Sequence, residues 1–367
     1  MARTTPPGGR KDGPVTLAMV AQRAGVSTQT VSNALNSPDL LAPRTLERVR
    51  EAVAELDYRP HQAARSLRTR SSRLIGYGVQ PARSGLSTTV LDGFLHALSD
   101  SADQAGYRVL LFAAPVGVED EADRYDELLR EHSVDAFVLS NTYRGDPRPA
   151  WLQKHGVPYV AFGRSWSARE TGDWVDVDGA HGTAAAVDHL VAAGHRKIAF
   201  LGWPRGSGSG DDRARGWREA MRRHGLPVRD LRVSSLNEVD AARDAVGKVL
   251  SRVTAVVAAS DTLALGCYRA LRDSGLSPGT DVAVTGFDDS LAAALLSPSL
   301  SSVHQPLEEV GRACTRLLMS RIKNPDAAPE RVLLTPELIV RESSATVLAP
   351  DGRPVPDRAP ADTPRAL

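Results

Sequence analysis

The sequence predicts an α-helical head, a short hinge, and a larger α/β core with two lobes built on parallel sheets. At 367 residues the chain is too long for one small domain and suits two or three units. Near the N-terminus, short amphipathic helical patterns are separated by turn residues. From Leu74 onward, apolar strand-like runs alternate with amphipathic helical runs, which is typical of parallel sheets covered by helices on both faces.

The composition is that of an ordinary globular protein, with 42% apolar and 24% charged residues. The two cysteines, Cys267 and Cys314, lie among apolar neighbours, and we expect two reduced thiols in the core. No run of 18 apolar residues occurs, and Met1–Pro14 lacks the apolar stretch of a secretory signal. We therefore expect a cytoplasmic protein with no membrane partner.

Charge is distributed unevenly along the chain. Residues 1–73 contain 12 Lys or Arg and 6 Asp or Glu, a net charge of +6. Since the whole chain has 45 basic and 44 acidic residues, the remainder has 33 and 38, a net charge of −5. A basic head on an acidic body indicates a polyanionic partner for the head alone.

Residues 1–14 are predicted to be a disordered tail, and residues 15–60 a head of three helices. Thr16 is the expected N-cap of the first helix, and Gly25 follows it where a tight turn favours positive φ. Ser27 is the expected cap of the second helix, and Pro43 suits the first turn of the third. Residues 61–73 are basic and too short for a stable isolated helix, so we expect a hinge whose helix forms conditionally.

The second helix carries the strongest functional signal. With Val31 and Leu35 facing inward, the outward residues near its start are Thr28, Gln29, Ser32 and Asn33. Short polar side chains at this place suit the base edges of a DNA major groove. The alternative from the pattern alone is a three-helix interaction domain with a solvated face.

In the core, residues 74–345, the ligand site is expected beyond the carboxyl ends of the parallel strands. The polar residues there are Gln80, Arg83, Arg164, Arg213, Ser260, Asp261 and Asp288. An Arg and an Asp across a cleft can hold vicinal hydroxyls, so we expect a saccharide or sugar derivative as the small-molecule effector. Four tryptophans are candidates for stacking on a sugar ring: Trp166, Trp174, Trp203 and Trp217. A purine or an amino-acid derivative remains an alternative.

Enzymatic and metal chemistry have little support. The Gly-rich loop at 202–212 has neither a Gly-Lys-Ser/Thr ending nor GxGxxG spacing, and we expect it to form a flexible rim of the cleft. The acidic and histidine residues Asp176, Asp178 and His181 match no standard metal spacing. We therefore predict no catalytic residue, no metal and no cofactor. Residues 346–367, rich in Pro, Asp and Ala, are expected to be a second disordered tail.

A family resemblance covers nearly all of residues 15–345. The core of the head, Ala24-Gly25-Val26-Ser27 followed by Thr30-Val31-Ser32, resembles the lac-repressor/galactose-repressor (LacI/GalR) family. Further matching motifs are Arg59-Pro60, Ala63-Ala64-Arg65-Ser66-Leu67, Ile75-Gly76, Ala105-Gly106-Tyr107, Gly194-His195-Arg196-Lys197-Ile198, Gly286-Phe287-Asp288-Asp289, His304-Gln305-Pro306 and Arg341-Glu342-Ser343.

The resemblance implies a periplasmic-binding-protein-like core that binds an effector and dimerises. Lobe 1 would comprise about 74–175 and 306–334, and lobe 2 about 176–304 and 335–345. It implies that Thr28, Gln29 and Asn33 read bases and that Leu67 is a wedge inserted into the minor groove. The other implied DNA contacts are Thr16, Ser27, Thr30, Ser32, Tyr58, His61 and Ala64. For the effector, it implies Arg213, Asp288 and, at the crossover between lobes, Gln305.

Several positions depart from the family pattern. Asn33 replaces a frequent Arg, which shifts the expected preference from guanine toward adenine. His61 replaces a usual Asn, Ala42 replaces a capping Ser or Thr, and Met19 replaces an acid. In the core, Gly163 and Ser260 replace a frequent Asp and a frequent Asn.

The predicted function is a repressor that binds a palindromic operator as a dimer, or a higher homo-oligomer, and is released by its effector. One alternative is a corepressor mode with a purine or another metabolite. A solute-binding protein would need a signal peptide and no DNA head. A sugar-acting enzyme would need a catalytic base with a phosphate or dinucleotide loop, and the sequence has neither.

Overall fold

The computed structural model describes residues 15–58, 71–79, 88–114, 118–167 and 171–345. The predicted tails and the hinge up to residue 70 lie outside these residues. So do five predicted site residues, which are His61, Ala64, Leu67, Gln80 and Arg83. The chain divides into two compact units, Met1–Ser72 and Arg73–Leu367, and each is described by itself.

The described residues of the first unit form three α-helices and one 3-10 turn. The helices are α1 (Leu17–Ala24), α2 (Thr28–Asn36) and α3 (Pro43–Glu55), and the turn is Pro38–Leu40. Thr16 and Ser27 are confirmed as N-caps, because their hydroxyls accept from the N–H groups of Met19 and Thr30. Gly25 ends α1 at φ +60°, as a left-handed cap requires.

The head encloses its own small core. Its buried residues are Val20, Ala21, Ala24, Val31, Val49, Ala52 and Tyr58. Arg48 of α3 donates to the carbonyls of Ala24 and Gly25, and so ties α3 to the turn between α1 and α2. α3 itself starts at Pro43 with no side-chain cap from Ala42.

The second unit contains two six-stranded sheets with helices between the strands, and this confirms the predicted two-lobed α/β core. The strands of sheet 1 are β1 (Leu74–Val79), β2 (Arg108–Ala113), β3 (Ala136–Leu139), β4 (Tyr159–Phe162), β5 (Asp173–Val177) and β11 (Arg331–Leu334). Those of sheet 2 are β6 (Ile198–Gly202), β7 (Arg232–Ser234), β8 (Ala255–Ala258), β9 (Ala283–Phe287), β10 (Ser301–His304) and β12 (Glu337–Ile339).

The first five strands of each sheet have the same order, and a later strand, β11 or β12, is added at one edge. Sheet 1 runs β11-β5-β4-β3-β1-β2 and sheet 2 runs β12-β10-β9-β8-β6-β7. The described pairings are parallel except for β10 with β12, which is antiparallel. We call sheet 1 and its helices lobe 1, and sheet 2 and its helices lobe 2. The chain passes between the lobes three times: after β5, after β10 and after β11.

Helices cover both sheets. In lobe 1 they are α4 (Thr88–Gln104), α5 (Val118–Arg130), α6 (Arg148–Lys154) and α12 (Leu307–Lys323). In lobe 2 they are α7 (Gly179–Ala192), α8 (Ser209–Arg223), α9 (Val239–Val246), α10 (Asp261–Asp273) and α11 (Leu291–Leu295). No helix in the described ranges is long and apolar enough to cross a bilayer.

Burial and helix bounds correct some sequence-based expectations. Trp174 and Trp217 are 7% and 2% exposed and pack in the lobe cores, so they are not stacking faces. α8 starts at Ser209, inside the predicted Gly-rich loop at 202–212, so Arg213 is the fifth residue of this helix. Cys267 and Cys314 are confirmed as free buried thiols.

Candidate functional site

The exposed face of α2 carries the predicted base readers. Val31 is fully buried, so the side of α2 that carries it faces the core of the head. Thr28 and Gln29 are exposed, and Ser32 and Asn33 are partly exposed. The inward Val31 therefore fixes which side chains α2 can present to a groove.

Two of these side chains are joined. Gln29 Nε2 donates to Asn33 Oδ1 at 3.0 Å, one helical turn apart. The bond leaves the Gln29 amide oxygen, one Gln29 N–H and both Asn33 N–H groups available to a partner. An amide with both a donor and an acceptor matches N6 and N7 of adenine, whereas guanine offers only acceptors there.

Other predicted DNA contacts have structural tasks as well. The Ser27 hydroxyl accepts from Thr30 N at 3.1 Å and lies 2.9 Å from the Thr30 hydroxyl. The Thr16 hydroxyl caps α1. Tyr58 is only 8% exposed and packs in the head core, so any DNA contact is restricted to its small exposed part.

In the core, Asp288 lies just past β9, at the carboxyl end of sheet 2. Its φ of +116° is a strained value for a residue with a side chain. Gln305 Nε2 donates to Asp288 Oδ1 at 2.8 Å, and the N–H of Asp261 also bonds to this carboxylate. Burial raises the pKa of Asp288 to about 7, although Arg213 and Gln305 act against the rise.

Arg213 is buried beside Asp288. Its guanidinium lies 3.6 Å above the Phe287 ring, and Nη1 donates to the Ala259 carbonyl. Nη1 is 3.6 Å from Asp288 Oδ1, which is longer than a charged hydrogen bond, and Nε has no partner among the described residues. Burial lowers the pKa of Arg213 against the pull of Asp288, so the pair is incompletely compensated.

A cavity of about 450 Å³ has Asp288 in its wall, whereas Arg213 lies behind Asp288 and does not line it. Lobe 2 contributes Asp288 and Leu291 to its wall, and Gln305 lies on the wall at the crossover. Lobe 1 contributes Val90 and Leu307 from the first turns of α4 and α12. Its volume falls in the range of small-molecule sites. Polar residues outnumber apolar ones in its wall, where Asp288 and Gln305 are joined by Asp289, Ser290, His304, Glu308, Glu309 and Arg312.

Ser260 and Asp261 lie near this site, but their side chains are hydrogen-bonded to other residues of lobe 2. The Ser260 hydroxyl donates to Asn237 Oδ1 at 2.6 Å and caps α10. The Asp261 carboxylate accepts from the Ser290 N–H and hydroxyl, both at 2.7 Å, and from the Ser302 hydroxyl at 2.6 Å. Asp261 is only 2% exposed, and its carboxylate braces the loop that follows Asp288 rather than facing a ligand.

Arg164 is not free for a ligand either. Its guanidinium bonds to Asp176 at 2.7 Å and to Asp212 at 2.9 Å, and it stacks 4.4 Å from the Trp166 ring. Trp203 lies 5.3 Å from the Arg213 guanidinium. The indole N–H groups of Trp166 and Trp203 are buried and have no partner within the described chain.

Gly163 shows why one family position differs here. Its φ is +114°, and a Cβ would lie 2.4 Å from the Thr142 hydroxyl. An aspartate at this place would therefore be strained and would clash with Thr142.

Sequence reasoning missed several residues of this region. Asp212 looks like an ordinary acidic residue in a first helical turn, and nothing in the pattern pairs it with Arg164. Val90 and Leu307 carry no signal, because both look like core positions of amphipathic helices. Asp176 and Asp178 do not form a cluster: Asp176 binds Arg164, and Asp178 caps α7.

Comparison with known proteins gives matches over both units. Residues 16–61 match the family model of bacterial regulatory proteins, lacI family, and residues 187–344 match a periplasmic binding protein-like domain. The HTH-type transcriptional regulator CelR of Thermobifida fusca is 36% identical over 334 residues, which are 89% of this chain and 98% of CelR.

Two solved structures are similar over 90% of this chain and 99% of their own. A transcriptional regulator CelR–cellobiose complex is 34% identical, with a TM-score of 0.68. The lac repressor dimer bound to operator and the anti-inducer ONPF is 28% identical, with a TM-score of 0.79.

Proposed function

The chain belongs to the LacI family of bacterial regulatory proteins, and from that premise we propose how this DNA-binding transcription regulator works. It acts in the cytoplasm as a repressor on a palindromic operator, which it binds as a dimer. A saccharide or sugar derivative binds in the core and releases the operator. Base reading falls to Thr28, Gln29 and Asn33, and Leu67 is the minor-groove wedge.

The incomplete Arg213–Asp288 pair is the observation that carries the effector proposal. Two opposite charges are buried side by side at 3.6 Å, and Arg213 Nε is left without a partner. Buried polar groups are normally hydrogen-bonded, so an incompletely bonded pair whose Asp288 lines a cavity favours a ligand with hydroxyl groups at this place. Adjacent hydroxyls do so, since one can donate to Asp288 while another accepts from Arg213.

A sugar is also supported by the cavity and by one relative. Asp288, Gln305 and the other polar residues of the wall can bind hydroxyl groups, while Val90 and Leu307 add apolar surface, and a sugar ring likewise has polar edges and apolar faces. The CelR structure was solved with cellobiose, which makes this disaccharide the first probe to try.

Dimerisation is proposed to use the exposed face of α11. Leu291 and Leu295 are 73% and 74% exposed and lie one helical turn apart, on the same side of the helix. Exposed leucines grouped in this way are typical of a surface that a partner covers. The lac repressor relative was solved as a dimer, so we assign a second copy of this chain as that partner.

Replacing Arg213 by alanine tests the effector site. Cellobiose binding is measured by calorimetry, and binding to DNA from upstream of the chain's own gene is measured by fluorescence anisotropy. We expect Arg213→Ala to weaken cellobiose binding by about 1–3 kcal/mol, because Asp288 loses its cation and the ligand a donor. Operator binding without sugar should stay within twofold.

Arg222→Ala is the matched control, since Arg222 lies on the same helix but is exposed. Undiminished cellobiose binding by Arg213→Ala would reject the site. If cellobiose does not bind the wild type, the same measurement is repeated with other sugars and with purines. A ligand that tightens operator binding would identify a corepressor instead of an inducer.

A further inference from the structure

Arg164 joins the two lobes directly. It follows β4 in lobe 1, and its Nε donates to Asp176 of β5, also in lobe 1, at 2.7 Å. Its Nη2 donates to Asp212 of α8, in lobe 2, at 2.9 Å. One guanidinium is thus fixed to its own lobe on one side and to the other lobe on the other.

The three side chains are largely withdrawn from water. Arg164, Asp176 and Asp212 are 16%, 12% and 5% exposed. Ion pairs shielded from solvent attract each other more strongly, and are screened less by salt, than surface pairs. Opening the lobes at this place therefore carries a penalty that an exposed pair would not impose.

The Asp212 carboxylate is also held in position by hydrogen bonds that do not involve Arg164. Its Oδ2 accepts from the Ala180 N–H at the start of α7 at 3.1 Å, and its Oδ1 accepts from Arg215 at 2.7 Å. A carboxylate is favoured at a helix N-terminus by the exposed N–H groups. Lobe 2 thus presents a fixed acceptor, and little side-chain entropy is lost when Arg164 binds.

An aromatic contact accompanies the ion pair. The Trp166 ring stacks on Arg164 and also lies against Gly208 in the Gly-rich loop of lobe 2. A Cβ at Gly208 would be 2.7 Å from two atoms of this ring, and Gly208 has φ +56°. Only glycine accommodates both the backbone conformation and the close approach, which gives a role to a loop that matched no phosphate-binding motif.

The two arginines of the cleft, Arg164 and Arg213, differ in how completely the protein's own groups bind them. Arg164 has charged partners at hydrogen-bonding distance in both lobes, whereas Arg213 has an unpartnered Nε and a distant Asp288. The protein itself therefore compensates the charge of Arg164, whereas it compensates the charge of Arg213 only in part.

We propose that Arg164, Asp212, Trp166 and Gly208 form an interlobe latch, which holds this side of the cleft closed in the absence of effector. Arg164 is a positioning residue within it. The latch sets the angle between the lobes in the free protein, and it therefore sets the state from which the effector must shift them. This last consequence rests on the proposed function, but the latch itself does not.

The latch is tested by the distance between two spin labels, one in each lobe, in the full-length protein without ligand. The labels are attached at Lys154→Cys in α6 and Arg272→Cys in α10, both exposed helical positions. The native cysteines are fully buried and will not be labelled. Excess unlabelled protein suppresses signals between protomers of a dimer.

Asp212→Asn keeps the shape of the side chain and removes its charge. It is expected to shift part of the population to longer interlobe distances, and Gly208→Ala should do the same without altering any charge. The matched control is Asp211→Asn, because Asp211 is the neighbouring residue of α8 but pairs with Arg232 of its own lobe at 3.2 Å.

Distances unchanged in both Asp212→Asn and Gly208→Ala, with the folded state intact by circular dichroism, would overturn the latch. A shift in Asp211→Asn as large as in Asp212→Asn would also overturn it, since the effect would then belong to α8 and not to the interlobe pair. Neither result depends on effector or operator, so failure of the latch is distinguishable from failure of the proposed function.

Discussion

The side chains of Asp288 and Arg213 face each other in a largely buried site. At 3.6 Å, neither charge is fully neutralised by the other. The pKa of Asp288 is raised and that of Arg213 is lowered, each chiefly because burial disfavours the charged form. Both shifts indicate that the free protein holds these charges at a cost. A ligand that supplies a hydroxyl donor to Asp288 would relieve part of this cost.

Effector binding should therefore depend on pH near neutrality. Under the proposed function, a sugar hydroxyl would donate to the ionised carboxylate, so a bound sugar would select the deprotonated form and lower the pKa of Asp288 from about 7. We expect affinity to rise with pH between about 6 and 8, and to fall by up to about tenfold per pH unit on the acid side. Calorimetry in buffers of different ionisation enthalpy will detect the proton released on binding.

Asp288→Asn provides the control for this pH profile. It should bind cellobiose more weakly than the wild type at pH 8, with an affinity that no longer varies with pH. A wild-type affinity that is flat over this range would contradict the assignment of Asp288 as the hydroxyl acceptor.

On α2, the amide pair of Gln29 and Asn33 should set the preferred base. Asn33→Arg replaces a donor–acceptor group by a fork of donors, which matches the N7 and O6 acceptors of guanine. We expect the preference at one position of each half-site to change from adenine to guanine, with about 1–3 kcal/mol of discrimination. Anisotropy titrations against operators varied one position at a time will measure this.

A matched change elsewhere on the head separates charge from readout. Gln22→Arg adds the same charge at an exposed position of α1, and should strengthen binding to every sequence by a similar factor. If Asn33→Arg also changes affinity uniformly across all sequences, Asn33 does not read a base.

At the scale of elements, α11 is a short helix whose leucines are left in solvent. Its two outward leucines, Leu291 and Leu295, each expose nearly three quarters of their surface. Ala293, on the inward side of the same helix, is fully buried. Burying such a side chain in an interface contributes about 1.5–3 kcal/mol. A second copy of the chain would bury two pairs of them across a twofold axis.

Leu295→Glu is expected to weaken the dimer, since it puts a charge on this face and since Leu295, unlike Leu291, does not line the cavity. Sedimentation velocity at micromolar concentration should show a shift toward monomer. Leu236→Glu is the control, because Leu236 is also exposed, at 60%, but lies in a loop after β7. Unchanged sedimentation of Leu295→Glu would place the interface elsewhere.

For the whole molecule, the uneven charge distribution should govern DNA binding. Residues 1–73 carry +6 and the remainder −5, so the phosphate backbone attracts the head alone. Operator binding should therefore weaken steeply with salt, by about 10³–10⁵ between about 50 and 200 mM if a dimer contacts 6–10 phosphates.

Measuring anisotropy against salt on operator and on random DNA separates the two contributions. The slopes of log affinity against log salt should be similar, because phosphate contacts dominate both, while the operator keeps a constant advantage from base contacts. Leu67→Ala should reduce that advantage and leave binding to random DNA nearly unchanged, since only the kinked operator uses the wedge. Equal losses on both DNAs would argue against the wedge.

The sequence by itself determined the head, the alternation of strands and helices in the core, and the residues that end each strand. These features are local: Thr16 and Ser27 cap the helices that follow them, and Val31 sets the face of α2 through the helical period. Asp288 could be placed at a cleft because ligands lie beyond the carboxyl ends of parallel strands.

Only the tertiary structure decided how the charged residues are shared between fold and cleft. Asp261, Asp288, Arg164 and Arg213 all follow or flank strand ends, and the sequence predicts the same role for each. Their roles differ because of partners that are distant in sequence: Ser302 donates to Asp261, and Arg164 donates to Asp212. The strength of a buried charge depends on what surrounds it in space, and no local pattern records that environment.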